Sequence, residues 1–540
     1  HTPVPAGIDI FDIELMRRYF DSFADECGVS FEDLMRLGGS PRSTIPSSLP
    51  TEFNMAVMGF NLSGRANGVS RLHGEVSRDM FSRLWRDVPT DEVPIGSITN
   101  GVHVGTWLGR EVRELLNASE DGTGIRWDRA SLLPEKVLWE ARSNARQSLV
   151  SFVRSRLRAQ LLRRGENEGE LVWVDDVLDP SVLTLGFARR FAQYKRATLL
   201  LRDPGRLKRL LLSETPVQIV MAGKAHPHDD GGKEFIRRIV GFSSSPDVRH
   251  RFVFLEDYDM EVGRAMTRGV DVWLNHPRRP LEACGTSGMK SAINGGINCS
   301  ILDGWWDELY HGDNGWAIGG AQSHSDTEEG DRADAEALAE LLENEVTRLF
   351  YERSGDAIPS GWVARMKASI SSLGPAVSAD RMLGDYVDSL YEPSARHGRR
   401  MAADGYSRAR ALAAWKAKLR SAWTEVAVVS VSGDGAGPAQ AVPLVVRAQV
   451  VAGGLNQGDV LVELAHGPVD VTGELISPVP VPMTRTGFEG GKQTFEAVFT
   501  PPASGLYGYT VRALPSHPDL TSNVDLGLVA WARGSSSAPD

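Results

Sequence analysis

The feature that most constrains the fold is a regular alternation of apolar strands and helices in the middle of the chain. Four apolar runs are predicted as buried strands, at residues 182–187, 217–222, 251–255 and 270–275. Strands separated by helices of this length form a parallel sheet with helices on both faces. Ligands of such sheets bind at the carboxyl ends of the strands, where helix N-termini attract anions. The sequence therefore predicts an α/β lobe with a doubly wound, Rossmann-like sheet and an anion site at that edge.

The pattern of the chain changes near residue 425. From there to about residue 530, short alternating strands are separated by Gly and Pro turns, as in a β-sandwich. A chain of 540 residues is also too long for one core. We therefore predict five parts: a first lobe at 1–110, a charged helical connector at 111–165, the Rossmann-like lobe with its packing helices at 166–423, an immunoglobulin-like β-sandwich domain at 424–533, and a disordered tail at 534–540.

Charge and cysteine content exclude several classes of protein. The net charge of -11 and the pI near 5.7 argue against binding to nucleic acid or to an anionic membrane surface. No apolar run reaches the length of a membrane span, about 20 residues. The cysteines Cys27, Cys284 and Cys299 have neither metal-ligand spacing nor a disulfide framework. We expect a cytoplasmic protein with no metal, no nucleic-acid partner and no membrane partner.

A basic cluster follows the first of the four strands. Arg189, Arg190, Lys195 and Arg196 are close in sequence, and their charges repel one another unless an anion joins them. A solvated helix face could also carry four cations. The position of the cluster, after a strand and before a helix, favours a bound anion.

A second anion-binding pattern precedes Lys290. Gly285, Thr286, Ser287 and Gly288 offer backbone N–H groups and two hydroxyls at the start of a helix, which is the usual arrangement for holding a phosphate. A lysine just inside that helix has two functional interpretations: a point charge on a nucleotide phosphate, or a Schiff base to a phosphorylated aldehyde cofactor. The third interpretation is a capped helix with a solvated surface lysine.

The residues around Lys290 carry a family resemblance. The segment 282–290, with Asn-Gly-Gly at 294–296, resembles the pyridoxal-phosphate lysine segment of the α-glucan phosphorylases, which include the glycogen and maltodextrin phosphorylases. Its Gly-Thr-Ser-Gly-Met-Lys run is similar to that of the shorter bacterial branch. Three further blocks resemble segments of the same family, at 67–73, 97–103 and 188–196. The resemblance covers roughly residues 1–390 and implies a two-lobed fold of the glycosyltransferase B type, with 1–110 as the remainder of the N-terminal catalytic lobe.

The resemblance implies pyridoxal 5′-phosphate as the cofactor, carried by Lys290. The position of Arg189 contacts the cofactor phosphate in the family, where lysine is usual, so arginine keeps the charge but changes the geometry. The positions of Arg190 and Lys195 bind the substrate phosphate. These two residues and Lys290 are therefore the implied catalytic residues. Further cofactor contacts are implied for Tyr258, Gly285, Thr286 and Ser287.

A second set of residues is implied to bind the glucosyl unit: Glu282, Cys284, Gly285, His73, Asn100 and His1. Without the resemblance, two of them have plainer interpretations. His73 would fit a core histidine with a satisfied hydrogen bond, and Asn100 would fit an ordinary Asn-Gly turn. The family commonly has serine at the position of Cys284, and a backbone contact would survive that change.

Together these roles imply phosphorolysis of α-1,4-glucans, in which α-glucose 1-phosphate leaves with retention and the cofactor's 5′-phosphate exchanges a proton with the substrate phosphate. The implied partners are the glucan and inorganic phosphate. A segment like residues 1–2 lies well inside family chains, so we expect this chain to be the C-terminal portion of a longer protein, with the N-terminal portion as a further partner. A homo-oligomer stays open.

Other functions stay open as well. A nucleotide-sugar glucosyltransferase of the glycogen-synthase type shares the two-lobed architecture and uses an Arg/Lys pair on phosphates, but it needs no cofactor on Lys290. A fragment that binds glucan without catalysis is a further alternative. A glycosidase comes last, because the acidic residues within 303–308 crowd into one turn and nothing shows them flanking a sugar. We interpret that run as a structural turn.

Overall fold

The computed structural model of the protein describes residues 7–39, 49–117, 124–321, 327–353, 358–434, 443–501 and 506–533. The β-strands are β1 (Ile10–Asp12), β2 (Glu52–Asn54), β3 (Ala66–Gly68), β4 (Ile95–Ser97), β5 (Leu183–Ala188), β6 (Val217–Ala222), β7 (Phe252–Leu255), β8 (Val272–Asn275), β9 (Ile297–Ile301), β10 (Gly315–Ile318), β11 (Val426–Asp434), β12 (Leu444–Ala452), β13 (Val460–Pro468), β14 (Val479–Pro482), β15 (Thr484–Glu489), β16 (Lys492–Phe499), β17 (Tyr507–Pro515) and β18 (Ala530–Trp531).

The α-helices are α1 (Ile13–Glu26), α2 (Phe31–Gly39), α3 (Met55–Leu62), α4 (Arg71–Phe81), α5 (Val104–Trp107), α6 (Arg110–Leu115), α7 (Arg129–Leu132), α8 (Glu135–Arg163), α9 (Pro204–Leu211), α10 (Asp230–Ser243), α11 (Met260–Gly269), α12 (Thr286–Ala292), α13 (Trp305–Leu309), α14 (Thr327–Leu341), α15 (Thr347–Tyr351), α16 (Ser360–Ala376), α17 (Ala379–Tyr386) and α18 (Glu392–Ala422). Helix α18 is interrupted at 403–406, where the backbone leaves helical φ and ψ.

Contacts divide the described chain into two compact units. The first unit contains residues 68–74 and 97–387, and the second contains the residues before 68, residues 75–96 and the chain from 388 onward. The predicted domain bounds follow composition rather than contacts, so they stay a prediction. The predicted tail at 534–540 lies outside the described residues.

The first unit is built on a six-stranded parallel sheet with the strand order β10-β9-β8-β5-β6-β7. The four predicted strands are present as β5 to β8, and none of their ends differs from the prediction by more than two residues. Strands β9 and β10 were not predicted. Strand β9 has the sequence Ile-Asn-Cys-Ser-Ile and is fully buried, so polar residues in its centre hide a strand that helices cover on both sides.

Helices cover both faces of this sheet. On β6, Ile219 and Met221 pack into one hydrophobic core with residues of α9, α10, α12, α14 and α16. The alternate residues, Val220 and Ala222, pack into a second core with residues of α8 and α11. Because successive side chains of a strand point to opposite faces, this division leaves the strand ends as the place for a ligand.

Helix α8 lies within the predicted connector and is tied to the sheet by two buried arginines. Arg146 forms an ion pair with Asp271, and both side chains are almost fully buried. Arg142 donates to the backbone carbonyls of Val270 and Asn294 at 2.6 Å and 3.0 Å. Burial lowers the pKa of Arg142 to about 10, which leaves it charged at neutral pH. Helix α8 is therefore packed into the core beneath the lysine segment.

The second unit contains two separate four-stranded antiparallel sheets, with strand orders β11-β12-β16-β15 and β14-β13-β17-β18. Inward residues of both sheets, such as Val446 and Val462, share one hydrophobic core. A second core joins β17 to the segment 75–96 through Leu514, Trp85 and Val93. The prediction of a mixed α/β chain with a parallel sheet and antiparallel sheets at the C-terminal end is confirmed.

Replacing Arg512 by alanine is expected to destabilise the second unit strongly. Arg512 is 2% exposed and pairs with Glu92 at 2.7 Å and with Glu463 at 2.8 Å. Removing one partner of a buried ion pair leaves the others uncompensated and costs about 3–5 kcal/mol. Arg447 is the matched control, because it also pairs with two carboxylates on a strand but is solvent-exposed. In urea unfolding, the free energy of unfolding should fall much more for Arg512→Ala than for Arg447→Ala. Equal decreases would contradict a stabilising role for the buried ion pairs of Arg512.

Candidate functional site

Two sequence-predicted segments meet at the carboxyl edge of the parallel sheet. The basic loop, residues 189–196, follows β5, and the lysine segment follows β8. The backbone N–H of Arg278 donates to the carbonyl of Tyr194 at 2.7 Å, and the Arg196 guanidinium donates to the carbonyl of His276 at 2.9 Å. Strands β5 and β8 are hydrogen-bonded neighbours, so the loops that follow them lie side by side. The two predicted anion sites are therefore one region.

Glu282 joins two cations of the basic loop into a buried triad of Arg189, Lys195 and Glu282. The distance from Arg189 Nη2 to Glu282 Oε2 is 2.8 Å, and that from Lys195 Nζ to Glu282 Oε1 is 3.5 Å. Arg189 also donates to the Asn275 side chain at the end of β8. Its Nε has no hydrogen-bond partner among the described residues. One donor of this buried guanidinium is therefore left for a ligand.

The Lys195 ammonium lies in a largely dehydrated position, with a side chain that is 12% exposed. Burial, followed by the charge of Arg189, lowers its pKa to about 8, while Glu282 acts in the opposite direction. Lys195 is therefore mostly protonated at neutral pH and loses its charge as the pH rises through about 8. A buried ammonium in this range binds an anion strongly because few waters compete.

The other two cations of the basic loop have different surroundings. Arg196 is buried and pairs with Asp331 at 3.0 Å and with Asp334 at 2.7 Å on α14, so it fixes the loop to that helix. Arg190 is exposed, and no carboxylate in the described part of the chain forms an ion pair with it. The four cations therefore comprise one structural residue, two members of the triad and one guanidinium that is free for a ligand.

The turn before α12 has the shape of an anion cradle. Gly285 has φ +84°, which favours glycine, and it precedes the first helical residue, Thr286. The Trp273 indole N–H donates to Ser287 Oγ at 3.1 Å, so a residue of strand β8 fixes the second residue of the helix. A Cβ at Gly288 would lie 2.4 Å from Asn298 Oδ1, so that position has room only for glycine. Both amide atoms of this buried Asn298 lack partners among the described residues.

Lys290 is half-buried, with Nζ 3.8 Å from the centroid of the Trp107 ring. No carboxylate in the described ranges pairs with it. Burial lowers its pKa, which favours the neutral amine that reacts with a carbonyl. The free Nε of Arg189, the glycine cradle and this amine fit a phosphorylated aldehyde such as pyridoxal 5′-phosphate. The same surroundings suit a solvated surface lysine poorly.

Tyr258 lies near Arg189 of the triad and near Trp107, the ring that contacts Lys290. Its hydroxyl would be 3.1 Å from a Cβ at Gly263, and the Trp107 ring would be 3.8 Å from the same atom. Burial raises the pKa of Tyr258, and the nearby Arg189 charge lowers it by a smaller amount. The tyrosine is therefore a neutral hydroxyl near Arg189.

A turn after β9 holds the backbone of Glu282 in place. The Asp303 carboxylate accepts the Glu282 N–H at 3.0 Å and the Gly304 N–H at 2.8 Å, and the Trp305 N–H donates to the Cys284 carbonyl at 3.0 Å. Burial raises the pKa of Asp303 to about 7. The sequence suggested a structural turn in this run but did not indicate that the turn supports Glu282. That pairing depends on residues about twenty positions apart in sequence.

Replacing Gly304 by alanine is expected to destabilise the site. Gly304 has φ +57°, and an added Cβ would lie 2.3 Å from the Cys284 carbonyl oxygen. Backbone strain and this clash together should cost about 3 kcal/mol or more. Gly312→Ala is the control, because Gly312 also has positive φ, at +100°, but an added Cβ meets nothing within 4 Å. In thermal unfolding, the melting temperature of Gly304→Ala should be well below that of Gly312→Ala. The reverse order would refute the close contact between Gly304 and the Cys284 carbonyl.

The segment 68–74, which contains His73, contacts both the lysine segment and the turn at Asn100. The Ser70 hydroxyl donates to the Ala283 carbonyl at 2.6 Å. His73 Nδ1 accepts the Val69 N–H at 3.0 Å, and the Asn100 N–H donates to the Val69 carbonyl at 3.0 Å. Burial lowers the pKa of His73 to about 4, so the imidazole is neutral with its proton on Nε2. The predicted substrate residue His1 lies outside the described residues.

All three cysteines lie within the described ranges. Cys27, Cys284 and Cys299 are free thiols, and only Cys27 is exposed. Burial raises the pKa of Cys284 to about 12 and also raises that of Cys299. Within these ranges, no three His, Cys, Asp or Glu residues form a group that could hold a metal ion. No described helix has both the length and the apolar character needed to cross a bilayer.

Two family models match the chain. The model described as carbohydrate phosphorylase matches residues 32–325, and the model described as glycogen phosphorylase C-terminal domain matches residues 423–533. Among curated relatives, a glycogen phosphorylase of Mycobacterium tuberculosis is 46% identical over 544 residues, covering 98% of this chain and 62% of the relative. A maltodextrin phosphorylase of Thermococcus litoralis is 36% identical over 548 residues, again covering 98% and 62%.

A glycogen phosphorylase of Aquifex aeolicus is 40% identical over 400 residues, which cover 72% of this chain and 56% of that relative. The chain therefore spans 62% or less of the length of these three relatives. The alignments with the first two relatives include the basic loop and the lysine segment, because they cover nearly the whole chain.

Proposed function

The chain belongs to the carbohydrate phosphorylase family, and we propose that it provides the catalytic centre for phosphorolysis of α-1,4-glucans. The reaction would use inorganic phosphate to release α-glucose 1-phosphate with retention of configuration. Relatives named glycogen phosphorylase and maltodextrin phosphorylase support the glucan as substrate.

The observation that carries this proposal is the charge at the carboxyl edge of the sheet. Arg189 and Lys195 pair with one carboxylate, that of Glu282, and Arg190 adds a third cation, so the cluster has an excess of two positive charges. A phosphate dianion would neutralise that excess. Arg190 has no acidic partner among the described residues and is free to bind it. A glycosidase or a simple glucan-binding module has no need for such a cluster.

The substrate phosphate would stabilise the positive charge that develops at the anomeric carbon when the glycosidic bond breaks. Arg190 and Lys195 would hold this phosphate against the sugar, and Lys195 would do so in its protonated form. Because the triad holds Lys195 in place before the substrates bind, this cation needs little reorganisation as the charge develops. Arg190 and Lys195 therefore act by position and charge.

Lys290 would anchor pyridoxal 5′-phosphate, and Arg189, Tyr258, Gly285, Thr286 and Ser287 would hold it. When bound, the cofactor would supply a phosphate that gives and takes a proton beside the substrate phosphate. Arg189 would orient that group with its free Nε. Trp107 shields the Lys290 amine from water on one side.

The glucosyl unit would be oriented by residues from three segments. Glu282 would accept a sugar hydroxyl, and the neutral His73 would donate one hydrogen bond from Nε2. Asn100 would bind a further hydroxyl through its side chain. Backbone groups of Cys284 and Gly285 would complete the contact. The hydrogen bond between Ser70 and Ala283 supports this arrangement, because it links two of these segments directly.

The strand order supports a finer fold assignment. Counted along the chain, the six parallel strands lie in the order 6-5-4-1-2-3, and the direction of succession reverses between β5 and β8. This order is that of a doubly wound Rossmann-like lobe, in which ligands bind at the point of reversal. We propose the two-lobed glycosyltransferase B architecture, with the C-terminal antiparallel sheets forming an immunoglobulin-like β-sandwich. The free cysteines favour a cytoplasmic location.

A phosphate-dependence assay tests the proposed function. The purified protein is incubated with maltodextrin, with and without inorganic phosphate, and α-glucose 1-phosphate is measured by NMR. We expect product of the α configuration only when phosphate is present. Sugar released without phosphate would indicate a glycosidase, and activity that requires a nucleotide sugar would indicate the glucosyltransferase alternative. Glucan binding without turnover would leave only the binding fragment.

A further inference from the structure

Glu282 contacts two cations whose expected ligands are phosphates, although the residue itself is expected to bind a sugar. We propose that Glu282 has a second role: its carboxylate keeps Lys195 protonated, so the residue that contacts the sugar also sets the pH range in which the protein binds phosphate. This inference rests on the proposed function and assigns Glu282 as a positioning residue for the phosphate.

The geometry favours a strong electrostatic effect. Glu282 Oε2 lies 2.8 Å from Arg189 Nη2, and Glu282 Oε1 lies 3.5 Å from Lys195 Nζ. The three side chains are between 7% and 12% exposed, so water and salt screen their charges poorly. The Asp303 carboxylate holds the Glu282 backbone at 3.0 Å. The position of the negative charge is therefore set by the fold.

Glu282 is the anion that acts most strongly on the Lys195 ammonium among the described groups. Asp303 lies behind Glu282 and acts on the neighbouring Tyr194, and burial raises its pKa to about 7. The basic loop itself contributes the cations Arg189 and Arg190, and it contributes Tyr194, whose ring centroid lies 5.1 Å from Nζ. Burial raises the pKa of Tyr194 to about 12, so this phenol is neutral. From the segment after β8, His276 is also neutral, because burial lowers its pKa to about 3.

The direction of the pH effect follows from these charges. Burial and Arg189 lower the pKa of Lys195 to about 8, and Glu282 opposes them through its charge and its hydrogen bond. Lys195 binds phosphate well only while protonated, so binding weakens as the pH rises through the pKa of Lys195. Removing the Glu282 charge lowers that pKa further. Phosphate binding should then weaken at a lower pH than in the wild type.

Glu282→Gln is the test variant, because it removes the charge and keeps the shape. The KM for phosphate is measured at saturating maltodextrin from about pH 6 to about pH 9, a range that spans the titration of Lys195. We expect the alkaline midpoint to move down by about one pH unit or more, which corresponds to roughly tenfold weaker binding above it. Glu256→Gln is the matched control, because Glu256 follows β7 and pairs with Arg164.

Two further variants separate the charge effect from damage to the fold. Glu282→Asp keeps the charge and should retain an alkaline midpoint close to that of the wild type, whatever happens to kcat. In a Lys195→Arg background the guanidinium does not titrate in this range, so Glu282→Gln should no longer move the midpoint. Phosphate itself titrates equally in every variant, so differences between variants report on the protein.

The outcomes are distinct. The inference is overturned if Glu282→Gln loses phosphate binding at the same alkaline midpoint as the wild type. It is also overturned if Glu282→Gln moves that midpoint equally when Lys195 is replaced by arginine. If Glu282→Gln does not fold, the variants Glu282→Asp and Lys195→Arg test the inference instead. Glu282→Asp must then keep the alkaline midpoint of the wild type, and Lys195→Arg must remove the alkaline loss of phosphate binding. A wild-type protein that forms no product from phosphate at any pH would instead refute the proposed function.

Discussion

Replacing Lys290 by alanine is expected to abolish retention of pyridoxal 5′-phosphate and, with it, all phosphorolysis. The Lys290 amine is half-buried against Trp107, its pKa is lowered by burial, and no described carboxylate pairs with it. These are the conditions in which a lysine reacts with an aldehyde. The measurement is borohydride reduction of the purified protein followed by peptide mass mapping. The wild type should carry a pyridoxyl adduct on Lys290, and Lys290→Ala should carry none.

Two variants control this experiment. Lys290→Arg keeps the positive charge but cannot form a covalent bond to the aldehyde, so it should also lack the adduct. Lys224→Ala removes an exposed lysine just after β6, at the same edge of the sheet, and should keep the adduct on Lys290. An unmodified Lys290 in folded wild-type protein would refute the cofactor assignment, and activity that requires a nucleotide sugar would then favour the glucosyltransferase.

Arg190→Ala is expected to retain the cofactor and to lose most of its use of phosphate. Arg190 is the cation of the basic loop that has no acidic partner among the described residues, so its removal leaves the buried triad intact. Loss of one charged donor to a developing transition state costs about 10²- to 10³-fold in rate. The kcat/KM for phosphate should fall by about that factor. The KM for maltodextrin should change little.

The control for Arg190→Ala is Arg238→Ala, which removes an exposed arginine on α10 of the same unit. That variant should keep the kcat/KM of the wild type for phosphate. Arg190→Lys should recover part of the activity, because lysine restores the charge without the planar pair of donors. Unchanged phosphate kinetics in Arg190→Ala would remove this residue from the mechanism.

Sequence patterns were sufficient where the signal is local. The apolar runs that became β5 to β8 predicted the sheet, and the basic loop predicted an anion at its edge. Strands β9 and β10 were missed. Strand β9 has Asn298, Cys299 and Ser300 at its centre, and its burial depends on packing against the adjacent helices α12 and α13 and the distant helix α16. Local apolarity cannot indicate burial that tertiary packing imposes on polar residues.

The internal structure of the site could not be predicted from the sequence for a similar reason. Arg196 belonged to the basic cluster in sequence, but it pairs with Asp331 and Asp334 on α14, more than 130 residues away. The support of Glu282 by Asp303 likewise depends on two chain segments meeting. The residue types suggested an anion site, but only the packing distinguishes the structural cation from those that face a ligand.

The different surroundings of the three cysteines allow one of them to be labelled selectively. A thiolate is the reactive form of cysteine, and burial with a raised pKa keeps Cys284 and Cys299 protonated and shielded. A maleimide fluorophore should therefore attach at Cys27, on the surface, without engineering the chain. A reporter dye could thus be introduced while the segment around Cys284, which is proposed to bind the sugar, keeps its native chemistry.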